Sequence, residues 1–219
     1  MSIRSWLVQL FQTPAIAETH SPVNDDITVV DNCGRRTLKV NGIEQTGKYV
    51  DELFRQGIKY LRHWHDQPVK NIVVFGVGGG GVLFQLRKAY PDARITGVDR
   101  DGEVIGLAKK YFQLDSITNA TFVVSDARDF VKMKDNSSKF DLTVIDIYIG
   151  NDVPLFVTQR PFLLDVRQVL RPGGAMMMNY FSFAGQPKKS EEVFNRLSGI
   201  FPSVDRKRIL RNIFFFVLK

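Results

Sequence analysis

The central part of the chain alternates short apolar runs with segments of helical periodicity. The apolar runs at residues 71–75, 94–99 and 120–124 have the length and the β-branched content of buried strands. Residues 82–90 and 103–112, which lie between these runs, repeat apolar positions every three to four residues and predict helices. Repeated strand–helix units predict a parallel sheet that is covered by helices on both faces.

This pattern continues towards the end of the chain and then changes. Further strands are expected at residues 141–146 and 175–180, and helical segments at residues 129–133, 155–170 and 191–200. Two final apolar runs, 204–210 and 212–218, are separated only by Arg211, and strands joined this closely must pair antiparallel. We therefore predict an α/β fold with about seven strands, mostly parallel, that ends in an antiparallel hairpin.

The N-terminal part has a different pattern. Residues 27–45 alternate apolar and polar positions around two turn signals, 31–34 and 41–42, and predict a small β-hairpin region with one more turn. Residues 47–65 then predict a helix with one buried face. We expect two parts, an N-terminal segment with the hairpin region at residues 1–47 and the main α/β domain at residues 48–219.

Composition narrows the class of protein. A chain of 219 residues, 44% hydrophobic, can bury a large core without a disulfide or a structural metal. Because Cys33 is the only cysteine, no internal disulfide can form, and we expect a cytoplasmic protein. No apolar run approaches the roughly 20 residues that a membrane span needs. A net charge of +7 is a mild bias and names no partner.

The start of the chain imitates a secretion signal. Arg4, a short apolar stretch and the triplet at residues 15–17 resemble a signal peptide with its cleavage site, but Gln9, Gln12 and Pro14 interrupt the apolar region. We expect Trp6 and its apolar neighbours to form a short amphipathic stretch instead.

The strongest chemical signal is a glycine-rich turn between a strand and a helix. Gly76, Gly78 and Gly80 form G-x-G-x-G, which lets a ligand lie against bare backbone N–H groups at a helix N-terminus. Asp99 ends the next strand, where a carboxylate can accept hydrogen bonds from both ribose hydroxyls. These features predict a cofactor that contains a nucleoside.

NAD is one candidate, because its binding motif also combines glycines with a later acid. Other features argue against NAD. Asp126 and Ala127 follow the third strand, where a carboxylate can accept the adenine amino proton, and Asp146 ends the fourth strand. The antiparallel hairpin at the end of the chain is also unusual for a dinucleotide-binding fold.

This combination resembles the class I S-adenosylmethionine-dependent methyltransferases and, among them, the spermidine synthase (polyamine aminopropyltransferase) group. The resemblance covers residues 27–180 and rests on the motifs at residues 41–45, 76–81, 95–101, 125–130, 140–146, 158–160 and 171–174. It implies a Rossmann-like methyltransferase fold that binds S-adenosylmethionine or its decarboxylated form. It also implies transfer of an aminopropyl or methyl group to a small amine, as in polyamine biosynthesis.

The resemblance also implies a set of site residues. The cofactor-binding residues would be Gln45, Gly76, Gly78, Gly79, Gly80, Asp99, Arg100, Asp126 and Ala127. The glycines would surround the methionine part, Asp99 the ribose, and Asp126 with Ala127 the adenine. Gln45 and Asp146 would face the reacting end. From their positions after Asp146, we expect Tyr148 to border the acceptor pocket and Asp152 to be a further catalytic candidate, so that the candidate catalytic residues are Asp146, Tyr148 and Asp152.

Two positions depart from the aminopropyltransferase pattern. Gly79 stands where that group carries an acid, and Ile149 stands where it has a second catalytic aspartate. The second loss matters, because an amine with a pKa near 10.4 must lose a proton to a base before it attacks. Asp152 could replace the missing acid. The sequence therefore leaves methyl and aminopropyl transfer both open.

Other functions also remain open. The protein could be a non-catalytic nucleoside-binding module, an RNA methyltransferase or an NAD-linked enzyme. We expect no nucleic-acid partner, because the basic run at residues 206–208 fits an edge strand protected against aggregation. His63 and His65 point to different sides of a helix, so they predict a solvated helix end and no metal site. A homodimer is an open alternative.

Overall fold

The computed structural model describes residues 14–150, 152–181 and 187–219. Its strands are β1 (Ala15–Thr19), β2 (Ile27–Asn32), β3 (Arg35–Val40), β4 (Ile43–Glu44), β5 (Asn71–Phe75), β6 (Arg94–Asp99), β7 (Ala120–Val124), β8 (Phe140–Ile145), β9 (Leu170–Phe181), β10 (Ser203–Ile209) and β11 (Asn212–Leu218). Its α-helices are α1 (Lys48–Trp64), α2 (Gly81–Ala89), α3 (Gly102–Phe112), α4 (Ala127–Phe130), α5 (Arg160–Val169) and α6 (Pro187–Ser198).

Seven of these strands form the main sheet in the order β10-β11-β9-β8-β5-β6-β7. The five strands from β9 to β7 run parallel, while β11 pairs antiparallel with both β9 and β10. The predicted α/β fold with its antiparallel hairpin is confirmed. Because the strand order reverses between β5 and β8, a crevice opens at the carboxyl ends of these strands, which is where ligands bind in sheets of this kind.

Helices cover both faces of the main sheet. Apolar residues of α1, α2 and α3 pack on one face, and those of α4, α5 and α6 pack on the other. Strand residues alternate between the two cores, so that Met177 and Phe216 join the first while Met178 and Phe215 join the second. Burial on both faces explains why inner strands such as β5 and β11 are almost continuously apolar in the sequence.

The N-terminal region is larger than predicted. A four-stranded antiparallel sheet in the order β1-β2-β3-β4 contains the expected hairpin, β2–β3, and the further turn between β3 and β4, and adds one strand, β1. The extra strand, β1, contains the triplet that imitates a cleavage site. Ile27, Val29 and Leu38 of this sheet pack on Val104 of α3. The predicted amphipathic stretch around Trp6 lies outside the described residues.

One of the two histidines expected at a solvated helix end lies in a different environment. His65 at the end of α1 is buried, with Nε2 3.0 Å from the Gly173 carbonyl oxygen, so the prediction of a solvated histidine at this position was wrong.

The basic residues at 206–208 lie on β10, which is an edge strand as expected. The Arg206 side chain contacts the Glu191 carboxylate at 2.6 Å.

Candidate functional site

The glycine-rich loop joins β5 to α2 at the crevice. Gly76 has φ 96°, and a Cβ there would lie 2.1 Å from the Asp146 carbonyl oxygen. Only glycine fits this close approach. The Asp146 N–H donates to the Phe75 carbonyl oxygen at 2.8 Å. These contacts bring the ends of β5 and β8 together at the crevice.

Asp99, at the end of β6, holds the shape of the loop. One carboxylate oxygen accepts hydrogen bonds from the N–H groups of Val77 at 2.9 Å and Gly78 at 3.4 Å, and the other accepts from the Asp101 N–H at 3.0 Å. Burial raises the pKa of the Asp99 carboxyl, and these backbone bonds oppose that rise. The oxygen that is bonded only to the Asp101 N–H keeps a lone pair, so Asp99 can still accept a hydrogen bond from a ligand hydroxyl.

A cavity that we call the main cleft extends from this loop across the sheet edge. Seven of the nine predicted cofactor-binding residues line it, namely Gln45, Gly76, Gly78, Asp99, Arg100, Asp126 and Ala127. The other two, Gly79 and Gly80, do not line it. A Cβ at Gly80 would meet Leu114 at 2.8 Å, so that glycine packs against the core.

The far end of the main cleft is formed by Asp126, Ala127 and Phe156. The Asp126 carboxylate accepts from the Arg128 N–H at 2.8 Å and, in a bidentate pair, from the Arg128 guanidinium at 2.9 and 2.7 Å. These Arg128 contacts lower the pKa of Asp126 and keep it ionised. The same guanidinium lies 4.8 Å from the centre of the Phe156 ring, so it supports the aromatic wall of the cleft.

Thr46 occupies the space beside Gly79. A Cβ at Gly79 would lie 1.9 Å from the Thr46 methyl carbon. The Thr46 hydroxyl accepts a hydrogen bond from the Leu38 N–H at 3.0 Å, which fixes the side chain. The chain therefore has no room for the acid that the aminopropyltransferase pattern places in this loop.

Asp146 stands where the main cleft meets a second cavity, which we call the side cavity. Both cavities are lined by Gln45, Asp146 and Tyr148. One oxygen of Asp146, Oδ1, accepts from the Asn179 amide at 2.9 Å. Burial raises the pKa of Asp146 to about 6, helped by the nearby Asp99 carboxylate and opposed by the Asn179 bond. The Tyr148 hydroxyl donates to the Asn179 carbonyl oxygen at 3.2 Å.

The structure does not bring Asp152 to Asp146. The Asp152 side chain is exposed and does not line either cavity. Its backbone pairs with that of Ile149 in a tight turn, at 2.9 and 3.2 Å. Ile149, at the position of the missing acid, is 49% exposed at the mouth of the main cleft.

Several lining residues were not predicted from the sequence. Tyr49, Asn179 and Asn212 line the side cavity. Asn24, in the loop after β1, lines the main cleft and donates to the Asp101 carboxylate at 2.6 Å. No local motif marks Asn24, because only the docking of the N-terminal sheet brings it to the cleft.

Within the described part of the chain, no group of three or more histidine, cysteine or acidic side chains is arranged to hold a metal ion. None of its helices is long and apolar enough to cross a membrane.

Comparison with known proteins identifies the family. Residues 69–214, which include β5 to β9 and most of the final hairpin, match the family described as "Methyltransferase domain". The chain belongs to this methyltransferase-domain family. The match begins just before β5 and includes every residue that lines the main cleft from Gly76 to Phe156.

Curated relatives of this methyltransferase-domain chain fall into two groups. It is 30% identical over 114 residues to a polyamine aminopropyltransferase of Vibrio vulnificus, covering 52% of this chain and 38% of that protein. It is also 30% identical over 152 residues to an eEF1A lysine and N-terminal methyltransferase homolog of Drosophila melanogaster, covering 66% of this chain and 22% of that protein. The chain thus spans well under half the length of these relatives.

Solved structures confirm the methyltransferase-like fold. A spermidine synthase in complex with the transition state analogue AdoDATO superposes with a TM-score of 0.79 at 17% identity, covering 94% of this chain and 73% of that chain. Human methyltransferase-like protein 13 in complex with SAH gives a TM-score of 0.61 at 18% identity, covering 77% of this chain and 78% of that chain. The predicted resemblance to the spermidine synthase-like branch of this fold is confirmed.

Proposed function

We propose that this protein transfers an alkyl group, methyl or aminopropyl, from an S-adenosyl sulfonium donor to an amine acceptor. The observation that carries the proposal is the position of Asp146, whose carboxylate lines both the main cleft and the side cavity. A donor in the main cleft and an acceptor in the side cavity would meet at this carboxylate. The relatives named above, which include both kinds of transferase, support the proposal.

The main cleft fits an adenosyl donor. Bare backbone at Gly76 and Gly78 leaves room for the chain attached to sulfur, and Asp99 provides a carboxylate for the ribose hydroxyls. Asp126, Ala127 and the Phe156 ring form the walls of a pocket that suits a flat base. Gly79 and Gly80, which do not line the cleft, would shape the loop without touching the donor.

The donor supplies an electrophilic carbon on sulfur, and the protein's task is to align a nucleophile with it. Amines are protonated near neutral pH, so the acceptor arrives as an ammonium ion and must lose a proton before attack. An ionised Asp146 attracts that ammonium ion and accepts its proton, and the free amine then forms a bond to the donor carbon as the bond from that carbon to sulfur breaks and leaves a neutral thioether. With a pKa of about 6, Asp146 is ionised at and above neutral pH. Tyr148 and Gln45 border the same junction and would orient the acceptor.

Two observations favour methyl transfer within this proposal. Thr46 fills the space beside Gly79, so no acid can hold the amino group of an aminopropyl donor there. Ile149 offers no carboxylate for a second ammonium group, and the Asp152 side chain points to solvent. Aminopropyl transfer is the second candidate, favoured by Glu44, which lines the side cavity and would attract the distal cation of a diamine.

The test is to identify the nucleoside by-product by mass spectrometry. Purified protein is incubated with S-adenosylmethionine or its decarboxylated form, together with putrescine, a lysine-containing peptide or total RNA. Methyl transfer releases S-adenosylhomocysteine and aminopropyl transfer releases methylthioadenosine, in amounts that exceed those of an Asp146→Asn control. Binding of a donor without either by-product, for every acceptor, would contradict transfer and support the binding-module alternative. Product on RNA alone would contradict the amine acceptor.

A further inference from the structure

A row of polar side chains crosses three strands next to Asp146. Asp146 follows the buried Val144 of β8 by two residues, and Asn179 follows the buried Met177 of β9 by two. Val144 pairs with Met177 in the sheet, so Asp146 and Asn179 extend from neighbouring strands towards the same edge and face. The carboxyl edge of this face is therefore polar directly beside a fully apolar row.

The row continues onto the final hairpin. Asn179 pairs with Phe214 of β11, and Asn212 stands two residues from Phe214 on the same face. Helix α1 covers this face, because Phe54 packs edge-on against Phe214 with ring centres 5.9 Å apart. Tyr49, in the first turn of α1, reaches the end of the row.

Hydrogen bonds connect the whole row. The Tyr49 hydroxyl donates to Asn212 Oδ1 at 2.9 Å, and the Asn212 amide donates to Asn179 Oδ1 at 2.8 Å. The Asn179 amide donates to Asp146 Oδ1 at 2.9 Å. At the other end, the Arg211 N–H donates to the Tyr49 oxygen at 3.3 Å.

The two ends of this hydrogen-bonded row, the Asp146 carboxylate and the Arg211 N–H, fix the direction of every hydrogen bond in the row. An ionised carboxylate can only accept, so Asn179 must present its NH₂ group to Asp146 and its oxygen to Asn212. The same constraint passes through Asn212 to the Tyr49 hydroxyl. The Arg211 backbone N–H can only donate, so the Tyr49 hydrogen remains for Asn212. Bonds aligned in one direction polarise and strengthen one another.

Burial makes this arrangement rigid. Asn179 and Asn212 are each only 5% exposed, and a buried amide is costly unless it is hydrogen-bonded. Tyr49 is 45% exposed and lines the side cavity with both asparagines. The Asp99 carboxylate on β6 acts on Asp146, and the other charged residues that line the two cavities are Glu44 in the side cavity and Arg100 and Asp126 in the main cleft. The described contacts of Asp146 Oδ2 include no hydrogen bond.

We propose that Asn179, Asn212 and Tyr49 are positioning residues that hold Asp146 Oδ1 and thereby aim Oδ2 at the acceptor amine. The proposal rests on the function proposed above, because it assigns these residues to the orientation of the same carboxylate. None of the three needs to touch the donor. They also form one wall of the side cavity, so an acceptor bound there lies against the hydrogen-bonded row that orients Asp146.

We expect the hydrogen-bonded row to change the pKa of Asp146. Each bond that points towards the carboxylate stabilises its ionised form, so loss of a donor raises the pKa of Asp146. The effect is largest for Asn179, which contacts Asp146, and smaller for Asn212 and Tyr49. Tyr60 on the same helix provides a matched control, because its hydroxyl donates to Asp205 on the same hairpin but outside the row.

The experiment is a carboxyl NMR titration of protein labelled with ¹³C-aspartate, with the Asp146 signal assigned by its loss in Asp146→Asn. We expect Asn179→Leu to raise the Asp146 midpoint by roughly one pH unit, and Tyr49→Phe by a few tenths of a unit. Tyr60→Phe should leave it unchanged. Tyr49→Phe removes a single oxygen from a half-exposed side chain and should leave the fold intact, which the remaining aspartate signals report.

Kinetics complete the test with whichever donor and acceptor the wild-type protein turns over. We expect kcat to fall about 3-fold in Tyr49→Phe, more in Asn212→Leu and about 100-fold in Asn179→Leu. The KM for the donor should be unchanged. An Asp146 midpoint that does not move in Asn179→Leu or Tyr49→Phe would overturn the positioning role, even in an active enzyme. Because the titration needs no turnover, an inactive wild-type protein would count against the proposed function alone.

Discussion

The methyl group of Thr46 fills the space into which any side chain at Gly79 would project, with 1.9 Å between that methyl carbon and an ideal Cβ. This contact joins the N-terminal sheet to the glycine-rich loop, because Thr46 follows β4 and its hydroxyl is bonded to β3. The loop is therefore shaped from outside the main sheet as well as by its own glycines.

A double-mutant cycle tests this contact. Gly79→Ala should lower the free energy of unfolding by about 1 to 3 kcal/mol, the usual cost of overpacking a filled site. Thr46→Ser keeps the hydroxyl that accepts the Leu38 bond but removes the methyl group. In that background Gly79→Ala should cost much less, as measured by urea denaturation. Equal costs in the two backgrounds would show that Thr46 does not limit the space at residue 79.

The contribution of Asp99 to ligand binding can be measured separately from its contribution to the stability of the fold. Asp99→Ala should weaken binding of S-adenosylhomocysteine about 10- to 100-fold in calorimetry, the range for loss of a hydrogen bond to a charged group. Asp141 is a matched control, because its carboxylate accepts from two consecutive backbone N–H groups, of Lys70 and Asn71, at the opposite end of β5. Asp141→Ala should destabilise the protein but leave the affinity unchanged. Similar losses of affinity in both variants would contradict a ribose contact at Asp99.

Asp146 should make stability depend on pH in an unusual direction. Its pKa is about 6 in the folded protein against an ordinary value of 3.8, so between these values the folded state holds a proton that the unfolded state has released. Stability is therefore lost as pH rises from about 4 to about 6. Asp146→Asn should be as stable as wild type near pH 4 and more stable by about 3 kcal/mol at pH 8. The measurement is thermal unfolding of both proteins from pH 4 to pH 8. A difference in stability between Asp146→Asn and wild type that stays constant over this range would show that the carboxyl is not buried.

The aromatic wall of the main cleft gives a further prediction. Phe156→Leu keeps an apolar side chain but removes the ring, and should weaken binding of the adenosyl compound about 2- to 10-fold through lost aromatic contact. Phe194 is the control, because Arg206 lies over its ring at 5.1 Å in a similar pair far from the cleft. Unchanged affinity in Phe156→Leu would remove this ring from the proposed base pocket.

Much of the main sheet could be predicted because its strands are buried on both faces. The apolar runs at β5, β6 and β7 end at charged, turn or glycine residues, and the predicted bounds agree with the structure. β9 was predicted to begin at residue 175, but it begins at Leu170. Gly173 and Gly174 in this segment exchange backbone bonds with Lys219, so a distant partner makes a strand of a sequence that favours a turn.

The main cleft was easier to predict than the side cavity. Gly76 and Asp99 carry local signals, a turn after a strand and an acid at the end of the next. Asn179 and Asn212 were missed, although Asn179 interrupts the apolar run of β9 and Asn212 directly precedes that of β11. Their alignment depends on strand order and register, which sequence periodicity does not provide. The Thr46–Gly79 contact depends on the docking of two sheets and has no local signal.

The central claim is that the main cleft binds an adenosyl sulfonium compound with its ribose at Asp99 and its sulfur beside Asp146. The most direct measurement is a crystal structure of the protein with S-adenosylhomocysteine at saturating concentration. The account predicts both ribose hydroxyls within hydrogen-bond distance of the Asp99 carboxylate and the base between Ala127 and Phe156. A nucleoside bound elsewhere, or a main cleft left without ligand while the rest of the crystal is well ordered, would contradict it.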